Sequence, residues 1–320
     1  VQAIVTTHSP NLASVIPLEN IVLMKEAQAF SLAPEHTSLS ASDYAFLERF
    51  LDVTKSNLFF ARGVVIVEGD AENLILPELA ALIGRDFTAN GVSVVNVGST
   101  GLGRYARIFL RSNPAAGEIG IPVACIADLD VMPNDQAPYI CGKLKMGEAV
   151  PAVADRKWRK ASDFTSLELS GKRAAIRDRA SGQMVETFVS NQWTLEYDLA
   201  HSGLQKEMFL AIQLALADDQ IRGGNRTARA VLWKALKDWK TLNDEGHSAH
   251  DLASHIYAPL ARKRVSKAIA GQYFAQILAS RRRAKGQSVN WNAALPEYLR
   301  LAIEHVTVAP PASTIVPGTV

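Results

Sequence analysis

Cysteine is nearly absent: only Cys125 and Cys141 occur in 320 residues. Their spacing suits neither a zinc site nor a disulfide framework, which excludes a small stapled fold and makes the reducing cytoplasm the expected setting. Long hydrophobic runs are missing too. None approaches the roughly 20 residues needed to cross a bilayer, and no basic-then-apolar signal segment is visible, so a soluble protein without membrane contact is expected. There is no Gly-x-x-x-x-Gly-Lys-Ser/Thr phosphate loop, and these residues alone are not expected to bind or hydrolyse ATP. Nor does one sign of charge dominate: 34 Lys and Arg stand against 32 Asp and Glu, a net charge of +2 that by itself says nothing about nucleic acid. His247, His250 and His255 lie close together, but without cysteine partners or a His-Glu-x-x-His pattern they read as solvated side chains rather than a zinc site.

What is present is a pair of short apolar runs that end in acid. Val64 to Asp70 reads Val-Val-Ile-Val-Glu-Gly-Asp, and Val123 to Asp130 reads Val-Ala-Cys-Ile-Ala-Asp-Leu-Asp. Continuous runs rich in β-branched residues fit strands covered on both faces, as in a parallel sheet, whose ligands gather at the carboxyl ends of the strands. Glu68, Asp128 and Asp130 are therefore expected on one rim. Carboxylates so crowded raise one another's pKa values unless a cation sits between them, and an all-oxygen set favours Mg²⁺ or Mn²⁺.

Around these runs the pattern is α/β from residue 62 to about 200 and helical from there to about 306. The chain opens without Met, on a strand-like Val-Gln-Ala-Ile-Val, which suggests a piece of something longer. Two short strands, 21–24 and 30–32, flank a turn near Glu26-Ala27, and 38–61 carries helical spacing. A helix is expected over 71–83 with Glu72 in its first turn, and a strand over 92–97. The Gly-rich turn 98–103 after that strand reads either as a phosphate cradle or as a plain flexible turn. Residues 133–170 read as a long surface excursion whose Lys143, Lys145 and Lys157 are available to phosphates. A further strand spans 184–189, and Thr194 caps a helix that puts Glu196 in its first turn, where an acid can also serve only to stabilise the helix. Basic residues crowd the last quarter, at Arg262-Lys263-Arg264, Lys267 and Arg281-Arg282-Arg283. The tail from Ala309 is expected to be disordered.

A strand ending in Glu-Gly, a helix, a second strand, a helix, and a third strand ending in Asp-x-Asp resembles the TOPRIM fold of topoisomerases, primases and several nucleases. Thr7-His8-Ser9-Pro10 resembles the end of an ABC-type ATPase domain, where such a histidine meets the terminal phosphate of the nucleotide; a turn histidine without a task is the other reading of His8. Together with the run Phe50 to Ala61, Val67-Glu68-Gly69-Asp70-Ala71-Glu72 and Trp193-Thr194-Leu195-Glu196-Tyr197-Asp198, these features resemble the C-terminal half of a nuclease of the overcoming lysogenization defect (OLD) family.

That resemblance implies an α/β fold with a TOPRIM-type, mostly parallel sheet flanked by helices and an added all-helical subdomain. The expected divisions are 1–60 as the end of the ATPase and a linker, 61–200 as the catalytic core rejoined by a helix near 262–280, and 201–308 as the helical part. It further implies a divalent-metal-dependent endonuclease acting on DNA through two Mg²⁺ or Mn²⁺ ions, with ATP used only by a domain outside this chain. A helicase-like partner and homo-oligomerisation through regions outside the chain are implied as well. Carried over residue by residue, Glu68, Glu72, Asp128 and Asp130 match the acids around one ion, Glu196 the acid of the second, and Lys267 the basic residue of the returning helix, with Lys263 or Arg264 as alternatives. Arg262 to Arg264 and Arg281 to Arg283 then hold the DNA backbone or form solvated helix faces. Two rivals stand beside this reading. A TOPRIM module that binds without cutting is one. The other is a haloacid-dehalogenase-type phosphatase, suggested by Asp128-Leu129-Asp130-Val131; that fold puts the motif on its first strand and leaves Glu68 idle.

Overall fold

The computed structural model describes residues 3–98, 101–284 and 289–307. Ser99 and Thr100 of the Gly-rich turn and the tail from Ala309 lie outside them. Residues 3–5, expected as a strand, form none. Ile4 and Val5 are exposed and pair with no strand among the described residues, so the apolar run lacks the neighbour that would make it a ladder.

β1 (Val22–Lys25) and β2 (Gln28–Ser31) form a hairpin that pairs Lys25 with Gln28. Glu26 and Ala27 at its tip both have positive φ, 50° and 62°, the geometry of a two-residue loop matched to strand twist. α1 (Ala41–Phe50) starts on a capping box between Ser40 and Asp43 and is shorter than the expected 38–61. It stops where Leu51 leaves helical geometry and the Asp52 carboxylate turns to accept from the Lys55 amide at 3.0 Å, opening the 3₁₀ stretch Lys55–Phe60.

The centre is a parallel sheet of β3 (Gly63–Val67), β4 (Val92–Asn96), β5 (Val123–Ala127) and β6 (Val185–Val189), in the order β4-β3-β5-β6. α2 (Asp70–Leu82) follows β3, α3 (Leu102–Ala106) follows β4, and α4 (Ser166–Arg177) lies between β5 and β6. β3 and β5 are buried along their whole length, as expected of inner strands covered on both faces. Their alternation divides the core. Val65, Val67, Ala124 and Ile126 face one hydrophobic cluster, and Val64, Ile66, Val123 and Cys125 face the other with Leu47, Leu58 and Tyr105.

Six longer helices follow: α5 (Leu195–His201), α6 (Gln205–Leu216), α7 (Ala228–Asp244), α8 (Ala249–Ala261), α9 (Lys267–Arg283) and α10 (Glu297–Thr307). Their apolar sides join the same cluster as one face of the sheet, so the change at residue 200 is one of composition while the core runs on through it. α9 returns to lie along α2. Gly271 lets it come close: a Cβ there would stand 3.1 Å from the Ala71 Cα. α10 closes on the sheet in the same manner, because a Cβ at Gly63 would lie 2.5 Å from the Val306 carbonyl oxygen. No described helix is long and apolar enough to cross a membrane.

The excursion after β5 is pinned rather than loose. Arg156 and Asp163 pair with both side chains buried, and Met132 bridges to Lys160 through the backbone.

Candidate functional site

In the order β4-β3-β5-β6 the chain steps to opposite sides from β3, so the switch point falls between β3 and β5. The carboxyl ends of those two strands carry Glu68 and Asp128. Glu68 is the residue after β3 and is exposed. α2 begins two residues later, which puts Glu72 in its first turn, where the helix dipole favours a negative charge. The Glu72 carboxylate folds back over Gly69: a Cβ there would lie 2.6 Å from Oε2, so glycine makes room for the acid.

Asp128 is half-buried, and its Oδ1 accepts from the Leu195 amide at 3.0 Å, at the start of α5. Leu129 is buried and points into a small cluster with Val131 and Val189. Asp130 is exposed and has φ 56°, a left-handed backbone that an Asp tolerates better than most residues. The Leu129 and Asp130 amides both donate to the Trp193 carbonyl, at 3.2 and 3.1 Å, and Leu129 donates also to Ser190 Oγ at 2.8 Å. The β5 end and the β6–α5 loop are thus sewn together.

Thr194 caps α5 by accepting from the Tyr197 amide, and Glu196 sits in the first turn, as expected, but buried. Its Oε2 pairs with Lys267 Nζ at 2.8 Å, with the Glu196 side chain 1 % and the Lys267 side chain 46 % exposed. Its Oε1 is buried with no hydrogen-bond partner.

The acids feel one another. Glu68 is exposed as a residue, but partial desolvation of its carboxyl at the crevice raises its pKa first, with the charges of Asp130 and Glu72 adding to it. Burial and then Glu196 raise Glu72. Asp128 lies well above the usual carboxylate range, again through burial and then Glu196. At Lys267, burial opposes the ammonium charge, but Glu196, Tyr257 and Asp128 outweigh it and raise the pKa.

Among the described residues no three His, Cys, Asp or Glu side chains are gathered tightly enough to ligate one ion. The acids instead stand around the crevice with the Lys267 ammonium as their nearby cation. The donor set still suits a hard divalent ion: it is all carboxylate oxygen, Glu68, Glu72 and Asp128 resist ionisation, and one buried oxygen of Glu196 lacks a partner.

Residues 59–130 match the family model of the overcoming lysogenization defect protein-like TOPRIM domain. The chain carries an OLD-like TOPRIM domain. Over 105 residues it is 32 % identical to the uncharacterized protein YbjD of Escherichia coli (strain K12), a match that covers 32 % of this chain and only 19 % of that protein. The C-terminal region of the Xanthomonas campestris pv. campestris OLD protein superposes with a TM-score of 0.41 at 23 % identity, covering 78 % of this chain and 94 % of that one. That of the Burkholderia pseudomallei OLD protein gives 0.40 at 20 % identity, over 78 % and 98 %.

The six basic residues singled out in the sequence part company around this TOPRIM domain. Lys263 and Arg264 lie in the turn before α9, beside Lys267, and line a cleft next to the acids. Arg262 donates to the Ile140 carbonyl at 2.7 Å and so clamps a loop. Arg281 and Arg282 are engaged elsewhere, with Glu207 of α6 at 2.9 Å and with Glu78 of α2 at 3.4 Å. Arg283 is exposed at the same far end of α9, roughly 20 Å of helix from Lys267. The Arg281 to Arg283 run is therefore not next to the acids.

Two contributors escaped the sequence reading. Asp198 is buried and accepts from the Asn191, Gln192 and Trp193 amides at 2.6, 3.1 and 3.2 Å, shaping the loop that holds the β5 end; burial pushes its pKa up to about 6. Asp198 stands inside the motif that carried the resemblance, two residues after Glu196, yet only the fold shows three amides converging on it. Tyr298 of α10 lies buried near the acids, with a hydroxyl that has no hydrogen-bond partner. Nothing in its local sequence marks it.

Proposed function

We propose that this TOPRIM domain is the catalytic part of a divalent-metal-dependent DNA endonuclease. The observation that carries the reading is that Glu68, Glu72, Asp128, Asp130 and Glu196 stand around one switch-point crevice, close enough to feel one another's charge, with Lys267 beside Glu196. In this reading Glu68, Asp128 and Asp130 chiefly hold one Mg²⁺ or Mn²⁺ ion, and Glu72 and Glu196 bridge to or hold a second. When bound, such ions supply an activated water and relief for the leaving oxygen of a phosphodiester.

The protein's own share follows from the geometry. Leu195 orients one oxygen of Asp128. The loop shaped by Asp198 holds Leu129 and Asp130 through the Trp193 carbonyl. Lys267, released from Glu196, meets the phosphate as negative charge builds on it. Lys263 and Arg264 contact the flanking backbone, which favours DNA without reading its sequence. The 1–60 segment as the end of an ATPase, the helicase-like partner and the oligomer belong to the same proposal.

Supercoiled plasmid incubated with Mg²⁺ or Mn²⁺ tests it. Relaxed or linear product is expected from the unaltered chain, and none from Glu68→Ala or Asp128→Ala with unchanged circular dichroism. Plasmid left intact by the unaltered chain but retarded in a gel would transfer the domain to the non-cutting reading, and hydrolysis of p-nitrophenyl phosphate without DNA cleavage to the phosphatase reading.

A further inference from the structure

Beside the acids, where α9 begins, lies a cleft of about 610 Å³ lined by Lys143, Trp193, Tyr257, Lys263, Arg264 and Lys267 together with apolar residues of the α8–α9 turn. No acidic side chain lines it. Its aromatic members, Trp193 and Tyr257, belong to the core and are only 8 % and 5 % exposed, so a small part of each reaches the cleft; they meet edge to face, with ring centroids 4.9 Å apart and planes at 72°. Lys143, Lys263 and Arg264 are exposed, and none forms an ion pair among the described residues, whereas Arg281 and Arg282 do.

Three elements build the cleft and are locked to one another. Lys143 belongs to the loop that Arg262 clamps through the Ile140 carbonyl; a Cβ at Gly142, which has φ 72°, would lie 2.8 Å from Arg262 Nε. Lys263 has φ 54° and turns the chain between α8 and α9. Trp193 is the residue whose carbonyl receives the Leu129 and Asp130 amides. Trp193 on the wall is therefore tied through the backbone to Leu129 and Asp130 on the acidic rim, and a group seated in the cleft is indexed to the acids.

Cations along the opening of an apolar wall to which aromatic rings contribute are a combination that suits unpaired nucleotides: phosphates take the charges and a base packs on the wall. A cleft of this volume is the size of a small-ligand site, which matches a nucleotide or two better than a length of duplex. We propose that the cleft holds one or two unpaired nucleotides of the strand being cut, with a base against Trp193 and Tyr257 and its flanking phosphates on Lys143, Lys263 and Arg264. The inference rests on the nuclease reading for the strand's fate but not for its binding. The preferred DNA is then single-stranded, or a duplex opened at the cleavage point, because extruding a base from an intact duplex costs unpairing and unstacking energy.

The test measures binding without cleavage. Fluorescence anisotropy of a labelled twelve-nucleotide oligo-dT and of a blunt duplex of equal length is recorded with the whole chain in EDTA. Tighter binding of the single strand is expected. Lys143→Ala combined with Lys263→Ala should weaken that binding at least tenfold with an unchanged thermal midpoint, while Lys240→Ala, on α7, should not weaken it. Should the double variant misfold, Lys143→Glu alone carries the test, and a loss of similar size is expected. Equal affinity for duplex and single strand, full affinity in the lysine variants, or complete displacement by equimolar ATP would overturn the proposal, the last by marking a mononucleotide site. Failure of the nuclease reading looks different: the single strand binds as described and plasmid is never cut.

Discussion

The two ends of α9 carry similar basic residues and do different work. At its start, Lys267 reaches Glu196 while Lys263 and Arg264, which form no ion pair among the described residues, stand beside a cleft. At its end, Arg281 and Arg282 tie the helix to α6 and α2. A run of basic residues is thus no measure of DNA contact. The difference lies in what each end is packed against. The first end opens on a sheet rim that gathers several acids, and the second on helix flanks that offer Glu207 to Arg281 and Glu78 to Arg282.

The widest separation of the two ends is expected in catalysis. Lys267→Ala should slow plasmid cleavage by about 10²–10³-fold, the usual loss for one transition-state donor, and Lys267→Arg should recover little because the planar guanidinium does not replace a compact ammonium. A smaller loss than tenfold in Lys267→Ala would move the catalytic cation to Lys263 or Arg264. At the other end, Arg281→Ala should cost stability instead. Glu207 is buried, and leaving its carboxylate without this arginine is expected to lower the unfolding free energy by about 2 kcal/mol in urea titrations.

Next in size are the charges nearer the surface. Arg264→Ala should weaken DNA binding and reduce the log–log salt slope by about 1, the signature of one lost phosphate contact. Arg282→Ala should leave that slope alone and cost less than about 1 kcal/mol, since its pair with Glu78 is half-exposed. Equal slopes for the two variants would erase the distinction between the ends.

The smallest effect sets crowded acids against paired ones. Glu68, Glu72 and Asp128 have raised pKa values in the folded protein. Their contribution to stability is therefore fully present below the ordinary carboxylate values, near 4, and is lost as pH rises through the raised values. Asp43 beside Arg107 and Asp163 beside Arg156 have lowered values, so their contribution is present above about 3.8 and lost as pH falls through the lowered ones. Thermal midpoints in EDTA should accordingly peak at mildly acidic pH and decline by about 2–4 °C toward neutrality, and Mg²⁺ should flatten that decline. A midpoint that rises steadily to neutral pH in EDTA would remove the crowding from the account.

Much of this was legible along the chain. Val64 to Val67 and Val123 to Ala127 read as buried strands because parallel-sheet interiors demand continuous apolar runs. Thr194 read as a cap because its hydroxyl is placed to accept from an amide three residues on. Other features were not legible. α1 ends early because the Asp52 side chain competes with the helix for backbone amides, a local contest that periodicity alone does not reveal. Residues 3–5 carry strand-forming side chains, but a ladder requires a neighbour, which no property of the strand itself supplies.

The amino-acid order by itself determined where acids would stand at strand ends, because a strand's length and burial are written in adjacent residues and the sheet brings parallel strand ends to one edge. Only the tertiary structure decided which cation those acids would meet. Lys267 reaches Glu196 because Gly271 lets α9 press against Ala71 at the start of α2, and Arg281 and Arg282 are drawn away because the same helix, having docked, lays its far end against other acids. Charge attraction acts over a few ångströms in a packed protein, so partners are chosen by how helices dock and not by how the charges are spaced along the chain.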